Sequence, residues 1–344
     1  MAIDIKQKIS SSILKDPGRL HRSSGIGRSA RSAGKLGFGR IGVLMGGPSS
    51  ERDISFESAR SVCETLKSLG LDFVAIDIIT DDAEENLKLL RSHAIDCAFI
   101  ALHGYFGEDG KIQEILDRLA IPYTGSSAQA SKNAMDKVAS HEIFAAEGLS
   151  VPKFMVLNSR YFEKKLGASV DFELPWVIKP AGGGSSIGLS IIDNKNDLDA
   201  GIELAFKYDE RILIEEYIRG RELTVGILGE CPLSVIEIVP ESRFFDYRSK
   251  YESSATKYIV PARISLKTAK KVQQAALTAH RSLGCFGCSR VDMILNQNNI
   301  PYILELNNIP GLTSHSLLPK AAKAEGIDFG QLCVKLLSLA YEKK

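Results

Sequence analysis

Residues 289–307, SRVDMILNQNNIPYILELN, consist of two apolar runs separated by a cluster of turn-forming residues. The cluster is Asn296-Gln297-Asn298-Asn299, whose side chains favour a reversal of the chain. The pattern predicts an antiparallel hairpin with strands at 289–295 and 301–307. Side chains alternate along a strand, so Glu305 and Asn307 should project from one face. A turn centred between Asn298 and Asn299 would place Asp292 opposite Glu305.

This hairpin face is a candidate metal site. Carboxylate and amide oxygens, with no Cys or His nearby, suit a hard cation such as Mg²⁺ or Mn²⁺ that is shared with phosphate oxygens. The sequence therefore predicts Asp292, Glu305 and Asn307 as ligands. The alternative is a polar face of the hairpin that is exposed to solvent.

A second feature is Lys179-Pro180 followed by AGGGSS at 181–186. It places a cation at the end of a predicted strand, beside a backbone that can bring several N–H groups onto an anion such as phosphate. The lysine precedes the glycines, so this is not a GxxxxGK[ST] loop, and the spacing is not GxGxxG. An ordinary glycine-rich turn remains the alternative.

Other polar residues follow apolar runs and are candidates for ligand contacts. Glu215, Glu216 and Glu222 offer acceptors for ribose hydroxyls or an adenine amino group, or are exposed charges. Glu51 follows the first glycine pair and is suited either to a ligand ammonium or to the N-terminus of a helix. His103, at the end of an apolar strand, is either a ligand contact or a packed histidine.

Composition excludes several classes of protein. The chain has 344 residues, of which 43 are Lys or Arg and 42 are Asp or Glu, so no polyanionic partner such as nucleic acid is expected. No apolar stretch approaches the roughly 18–20 residues needed to cross a bilayer, so no membrane partner is expected either. The six cysteines are scattered, and a pair at Cys285 and Cys288 is a weak metal signal. Free thiols and a cytoplasmic location are predicted.

The chain divides into an arm and three blocks. The first 40 residues carry nine Lys or Arg against two Asp, and we expect an arm at 1–39 to be disordered. From Arg40 onward, apolar runs alternate with helical periods, which predicts α/β units and a largely parallel sheet. The predicted blocks are 40–125, 126–214 and 215–344. The first opens with a strand at 41–45 and a helix capped by Ser49 or Ser50, followed by a strand at 73–78. The second opens with one helix around residues 128–146.

Taken in order, these segments resemble the D-alanine–D-alanine ligases of the ATP-grasp superfamily over about residues 40 to 340. The matching segments are 45–55 (MGGPSSERDIS), 101–110 (ALHGYFGEDG), 122–126 (PYTGS), 135–137 (MDK), 179–180 with 184–188 (GSSIG), 246–251 (DYRSKY), 290–292 (RVD) and 305–317 (ELNNIPGLTSHSL). The resemblance implies three α/β domains: an N-terminal parallel-sheet domain, then central and C-terminal ATP-grasp domains with ATP between them. It also implies a homodimer, and a reaction that supplies peptidoglycan synthesis with D-alanyl-D-alanine through a D-alanyl phosphate.

The resemblance assigns roles to individual residues. Those that match ATP-binding positions are Lys137, Lys179, Ser185, Ser186, Glu215, Glu216, Ile218, Glu222 and Lys250. Those that match amino-acid contacts are Glu51, His103, Lys250, Ser316 and Leu317. Those that match positions around the reacting atoms are Glu51, Ser185, Tyr251, Arg290, Gly311 and Ser316. The metal set is again Asp292, Glu305 and Asn307, and two ions are implied.

Three alternatives stay open. A D-alanine–D-lactate or D-alanine–D-serine ligase would share these motifs, although Tyr251 beside Lys250 favours the peptide-forming type. A nicotinamide-dependent oxidoreductase is suggested by the early strand, glycine pair and helix, but the spaced glycine fingerprint is missing. A regulator that binds nucleotide without catalysis is disfavoured by the complete metal set. Residues 181–183 and Glu216 depart from the family pattern and should alter nucleotide affinity.

Overall fold

The structure is a computed structural model and describes residues 37–161, 170–239, 256–313 and 315–343. Most of the predicted arm, together with Lys250 and Tyr251, lies outside the described residues. The described part of the chain forms three sheets with helices packed on them. Among these residues, no helix is long and apolar enough to cross a membrane.

The first sheet is parallel, with strand order β2-β1-β3. Its elements are β1 (Ile41–Gly46), α1 (Arg52–Ser68), β2 (Phe73–Ile78), α2 (Ala83–His93), β3 (Cys97–Ile100) and α3 (Lys111–Arg118). β1 and β3 are almost entirely buried, as expected for a parallel sheet that is covered on both faces. This sheet confirms the predicted N-terminal parallel-sheet domain.

The predicted cap of α1 was wrong. Glu51 occupies the N-cap position and makes no side-chain capping bond. Ser49 instead accepts a hydrogen bond from the Glu51 amide at 3.1 Å and donates to the carbonyl of His103 at 2.7 Å. The serine is therefore used to tie two loops of the first sheet together.

The second sheet has strand order β4-β7-β5-β6, and all its pairs are antiparallel. Its elements are α4 (Ala128–Met135), α5 (Lys137–Ala146), β4 (Phe154–Asn158), β5 (Trp176–Pro180), β6 (Ser190–Ile192), α6 (Leu198–Phe206) and β7 (Arg211–Glu216). One helix was expected around residues 128–146, but Asp136 divides it. This residue ends α4 in an extended conformation and caps α5 by accepting from the amides of Val138 and Ala139.

The third sheet has strand order β11-β10-β8-β12-β13, with β9 paired to β8. Its elements are β8 (Gly220–Leu228), β9 (Cys231–Pro232), β10 (Ile236–Val239), β11 (Lys257–Ile259), α7 (Leu266–Ser282), β12 (Cys288–Asn296), β13 (Pro301–Asn307), α8 (Leu317–Ala324) and α9 (Phe329–Glu342). All its pairs are antiparallel, so the expectation of a largely parallel sheet holds only for the first sheet. Apolar runs report burial, whereas strand direction depends on connections that the apolar pattern does not encode. The predicted division at 214/215 falls within β7, and the domain boundaries stay predictions.

The last hairpin confirms the predicted pairing of Asp292 with Glu305. The turn itself differs from the prediction: Leu295 faces Pro301, which centres the turn on Asn298. The register then shifts by one residue, because Met293 faces Ile303 while Asp292 faces Glu305 and Leu304 is left over. A β-bulge at Leu304 therefore brings Glu305 to the predicted position.

The first sheet shares its core with the end of the chain. Val43 and Phe99 lie in one apolar cluster with Leu332, Leu336 and other residues of α9. Tyr341 of α9 also stacks on Phe38 and donates to its carbonyl at 2.7 Å. The last helix is thus part of the packing of the first domain.

Candidate functional site

Two adjoining cavities lie where the three sheets meet. The larger, of about 350 Å³, is lined by β5 and β7 of the second sheet and by β8, β10, β12 and β13 of the third. The smaller, of about 260 Å³, lies between the loops of the first sheet and the end of the last hairpin. Lys137, Gly183, Gly184 and Glu305 line both cavities, so the two spaces meet at one cation and one carboxylate.

The cavities bring nearly all the predicted site residues together. Those lining the larger cavity are Lys137, Lys179, Ser186, Glu215, Glu216, Ile218, Glu222, Asp292 and Glu305. Those lining the smaller cavity are Glu51, His103, Lys137, Ser185, Arg290, Glu305, Asn307, Gly311, Ser316 and Leu317. Lys250 and Tyr251 lie outside the described residues, and their predicted roles stay predictions.

A buried ion pair forms one wall of the larger cavity. Lys179 Nζ lies 2.8 Å from Glu215 Oε2, and both side chains are more than nine-tenths buried. The other oxygen of Glu215 lies 3.5 Å from Nδ1 of His141, without a hydrogen bond. Burial lowers the pKa of His141, so its ring is neutral at pH 7. The carboxylate of Glu215 therefore balances the charge of Lys179 while leaving both groups at the cavity.

Lys137 links the glycine turn to the hairpin. It is the first residue of α5, where the Asp136 cap fixes the helix start. Its ammonium donates to the carbonyl of Gly183 at 2.6 Å and lies 4.0 Å from Glu305 Oε2. The amide of Gly182 binds Asp209 at 2.7 Å, so this part of the predicted anion-binding backbone has a side-chain partner.

The predicted metal ligands straddle the junction of the two cavities. Arg290 binds both oxygens of Asp292, at 2.9 and 2.7 Å, and Thr224 donates to the same carboxylate at 2.6 Å. The side-chain oxygen of Asn307 accepts from the amide of Ile309 at 3.0 Å. A carboxylate offers about four acceptor positions and an amide oxygen two, so both retain capacity for a cation.

The donor set at this junction consists of the side-chain oxygens of Asp292, Glu305 and Asn307. Among the described residues there is no group of three His, Cys, Asp or Glu side chains arranged to hold a metal. Two carboxylates and one amide oxygen remain, which is the incomplete all-oxygen set that Mg²⁺ typically completes with substrate phosphates. The residues therefore fit a hard cation that is bound together with a nucleotide.

The smaller cavity is built around Glu51. The hydroxyl of Ser185 donates to its carboxylate, although the two residues are far apart in sequence. Ser185 and Ser186 have φ of 55° and 58°, a left-handed conformation that non-glycine residues rarely adopt. The bond to Glu51 is one of the contacts that hold this strained turn between the domains.

His103 lies beneath the smaller cavity and is held on both ring nitrogens. Nε2 lies 2.9 Å from the hydroxyl of Ser58, and Nδ1 lies 3.3 Å from a carboxylate oxygen of Glu108. Burial raises the pKa of Glu108. The prediction left open whether His103 contacts a ligand or packs inside the fold; its imidazole is buried and hydrogen bonded, and it also lines the cavity.

The far end of the smaller cavity is the start of α8. Ser316 is its N-cap, and the Ser316 hydroxyl accepts from the amide of Thr313 at 3.1 Å. A β-carbon at Gly311 would lie 2.8 Å from this hydroxyl, so the loop needs glycine at 311 to pass so closely. The positive end of α8 faces the cavity, which favours a carboxylate there.

Sequence reasoning missed several residues that shape the site. Thr224 and Glu108 hold predicted residues in place, and Leu304 lines the larger cavity through the bulge. His141 lies one helical turn after Lys137 and contacts both Glu215 and Leu304. Only the spacing of four between Lys137 and His141, which puts them on one helix face, carried a signal in the sequence.

The first glycine pair is closed by an ion pair. Arg52 donates to the carbonyls of Gly47 and Ile78 at 3.2 and 2.9 Å and to both oxygens of Asp77 at 2.8 and 2.7 Å. A side chain thus fills the end of β1 and β2, where an oxidoreductase of the predicted type would bind a pyrophosphate. This geometry disfavours the oxidoreductase alternative.

Comparison with known proteins gives consistent results along the chain. Family models described as D-ala D-ala ligase N-terminus and C-terminus match residues 80–126 and 143–338. The D-alanine–D-alanine ligase of Trichlorobacter lovleyi is 44% identical over 295 residues, which cover 85% of this chain and 92% of that protein.

Solved structures give the same relationship in three dimensions. The D-alanine–D-alanine ligase of Bacillus anthracis complexed with ATP superposes with a TM-score of 0.77 at 32% identity, covering 88% of this chain and 98% of that one. The VanG D-Ala:D-Ser ligase of Enterococcus faecalis gives a TM-score of 0.75 at 32% identity, covering 88% and 99%. The fold, the matched segments and these relatives establish that the chain belongs to the D-alanine–D-alanine ligase family, a family of ATP-dependent ligases.

Proposed function

We propose that this chain joins two D-alanine molecules into D-alanyl-D-alanine at the expense of ATP, releasing ADP and phosphate. The observation that carries the proposal is the meeting of the two cavities at Lys137 and Glu305. One cavity offers the buried lysine and acidic side chains suited to a nucleotide. The other offers a carboxylate, a histidine and a helix N-terminus suited to small zwitterions.

In the first step, a carboxylate oxygen of one D-alanine attacks the γ-phosphorus of ATP. The new O–P bond forms as the bond to the β,γ-bridging oxygen breaks, which gives D-alanyl phosphate and ADP. Lys137 and Lys179 offset charge on the phosphates, and Glu51 holds the ammonium of the first D-alanine with His103 near its carboxyl group. Positioning and electrostatic stabilisation account for most of the catalysis in such transfers.

A divalent cation held by Asp292, Glu305 and Asn307 would further offset charge on the transferred phosphoryl group. This ligand set and the number of ions stay proposals. Arg290 is already fixed at the same place by its two bonds to Asp292. Its guanidinium can therefore lie near the reacting carboxyl group without first paying the cost of ordering its side chain.

In the second step, the amine of the other D-alanine attacks the acyl carbon of D-alanyl phosphate. A tetrahedral intermediate forms, and collapse breaks the C–O bond to phosphate. Arg290 and the Gly311 amide are the proposed donors to its oxyanion, and Ser316 with Leu317 at the start of α8 receives the second carboxylate. An α-amino group has a pKa near 8 or higher, so the ammonium must first lose a proton. Ser185 and Glu51, with Tyr251, are the proposed group around that amine.

ATP consumption and the assignment to peptidoglycan precursor synthesis agree with the family membership. A homodimer and a cytoplasmic location stay predictions. Joining D-serine as the second substrate is the second candidate, because a D-Ala:D-Ser ligase superposes with a TM-score of 0.75.

The test is phosphate release from ATP by the purified chain. We expect release only with both D-alanine and Mg²⁺ or Mn²⁺, and almost none with L-alanine. Offering D-serine and D-lactate as second substrates over a pH series distinguishes the two peptide-forming reactions from ester formation. Equal rates with D- and L-alanine, or release that ignores the amino acid, would contradict the proposal.

A further inference from the structure

The β-bulge at Leu304 determines which face of the hairpin carries Glu305 and Asn307. Ile303 and Leu306 are both buried in the core, although regular alternation would put residues three apart on opposite faces. The extra residue between them shifts the alternation by one. As a result Glu305 and Asn307 face the cavities, and a strand that kept Leu304 without a bulge would turn Glu305 toward the core.

The bulge lies in β13, the edge strand of the third sheet, and is held from outside that sheet. Nε2 of His141 in α5 lies 3.0 Å from the carbonyl oxygen of Leu304. The amide of Ile303 donates to the carbonyl of Ser150, just beyond α5, at 2.8 Å. One helix and the loop after it thus bind the two residues at which the register changes.

The imidazole of His141 is fully enclosed, with a relative exposure of 0%, and packs edge-on against Phe154 with 5.3 Å between ring centroids. A carbonyl oxygen can only accept, so Nε2 carries the proton of the bond to Leu304. Burial lowers the pKa of His141, which leaves a lone pair on Nδ1 facing Glu215 at 3.5 Å. The bond to Leu304 is therefore the only hydrogen bond that this ring makes with the described residues.

We propose that His141 is a positioning residue for Glu305 and Asn307. Its Nε2–H fixes the bulge at Leu304, and through the bulge it keeps both side chains beside Asp292. The inference rests on the proposed function for the role of Glu305 and Asn307 in nucleotide binding. Lys137 precedes His141 by one turn on the same face of α5. Helix α5 thus supplies Lys137, which lines both cavities, and also fixes the strand register that places Glu305 near it.

Three substitutions separate the hydrogen bond from simple filling of space. His141→Gln keeps an N–H donor at about the distance of Nε2, His141→Asn stops short of Leu304, and His141→Ala removes the ring. The primary measurement is equilibrium binding of a non-hydrolysable ATP analogue with and without Mn²⁺, made without D-alanine. Phosphate-release kinetics give kcat and the KM for D-alanine.

We expect His141→Asn and His141→Ala to lose about tenfold or more of the Mn²⁺-dependent gain in nucleotide affinity, and kcat to fall similarly, as for other residues that orient metal ligands. KM for D-alanine should stay within about twofold of the parent value. His141→Gln should retain most of the Mn²⁺ effect. The proposal is wrong if Gln and Ala lose it equally, or if all three variants keep it.

His280 provides the matched control. It is a buried histidine on α7 whose Nδ1 lies 2.7 Å from the hydroxyl of Ser289, the second residue of β12. His280→Asn and His280→Ala should lower thermal stability without changing the Mn²⁺ effect. A loss of the Mn²⁺ effect in these controls as large as in the His141 variants would assign the His141 result to general destabilisation and overturn the proposal.

A second variant keeps the test decisive if His141→Ala fails to fold. Deletion of Leu304 makes β13 a regular strand that still pairs Asp292 with Glu305, so His141 should become dispensable. We expect His141→Ala with this deletion to recover the Mn²⁺ effect, and no recovery contradicts the inference. A parent chain that binds Mn²⁺ and nucleotide but does not ligate D-alanine would refute the proposed function alone.

Discussion

The backbone of Gly104 passes directly beneath the carboxylate of Glu51: a β-carbon at position 104 would lie 2.5 Å from Glu51 Oε2. Gly104 has φ of +67°, and Ser49, which also borders it, ties the adjacent carbonyl of His103 to the loop before α1. Glycine at this position therefore allows Glu51 to reach Ser185 across the smaller cavity.

Gly104→Ala should displace Glu51 and weaken the binding of the first D-alanine. We expect KM for D-alanine to rise about tenfold, equivalent to about 1.4 kcal/mol, with a smaller change in the KM for ATP. The measurement is phosphate release at varied D-alanine. Gly70→Ala is the control, because Gly70 has the same φ of +67° and no atom of the described residues lies within 4 Å of an added β-carbon. Both variants should lose about 1–2 kcal/mol of stability from left-handed strain, and an unchanged KM in Gly104→Ala would show that Glu51 tolerates the contact.

Asp292→Asn should nearly abolish turnover. The amide cannot accept both bonds of Arg290, and it removes one charge from the proposed cation site. We expect kcat to fall by about 10²–10³, the range seen when one preorganised electrostatic group is removed. Initial rates across a range of Mg²⁺ concentrations measure the effect. Asp199→Asn, at an exposed position in α6, should stay within twofold of the parent, and a similar rate in Asp292→Asn would remove Asp292 from the mechanism.

Lys179→Met should destabilise the fold as well as weaken nucleotide binding. The substitution leaves the buried carboxylate of Glu215 without its cation, which typically costs about 3–5 kcal/mol. Lys179→Met with Glu215→Gln should recover most of the free energy of unfolding, since neither member of this buried pair is then charged. Nucleotide binding should stay weak in both. Urea unfolding and titration with an ATP analogue separate the two effects, and recovery of binding in the double variant would mean that Lys179 acts only through Glu215.

Acid should destabilise the protein through His280. Burial lowers the pKa of His280 to about 4, while the unfolded chain titrates near 6.5. Between these values the unfolded state binds more protons, so the free energy of unfolding rises with pH from about 4 to 6.5 and falls as pH drops through that window. The contribution is on the order of 3 kcal/mol at pH 4. His280→Asn should reduce the slope of the free energy of unfolding against pH by the equivalent of about one proton, which urea unfolding at several pH values measures. An unchanged slope would mean that the histidine titrates normally.

The sequence predicted the elements of the site better than their pairing. Strands 73–78 and 301–307 were found with their observed bounds, because apolar periodicity reports burial directly. Asp292 was placed opposite Glu305 correctly but with a turn centred half a residue away, since a turn cluster does not reveal a bulge. The division of the helix at Asp136 was missed, because the apolar period continues across the aspartate and is typical of a single helix.

Contacts between distant segments were the hardest to predict. Glu51 and Ser185 were each recognised through motifs, yet their direct bond depends on how the first and second sheets pack. The same holds for the bond of His141 to Leu304, whose two partners lie 163 positions apart in the sequence. Local patterns determine which residues are polar and near a turn, whereas these bonds need the full three-dimensional arrangement.

The packing of α9 against the first sheet bears on how the protein is made. Val43 and Phe99 are translated well before the leucines of α9 that share their cluster, among them Leu332 and Leu336. An apolar sheet face therefore lacks part of its native cover until α9 has been synthesised. A nascent chain that stalls before residue 329 would present this surface to chaperones or to other unfinished copies.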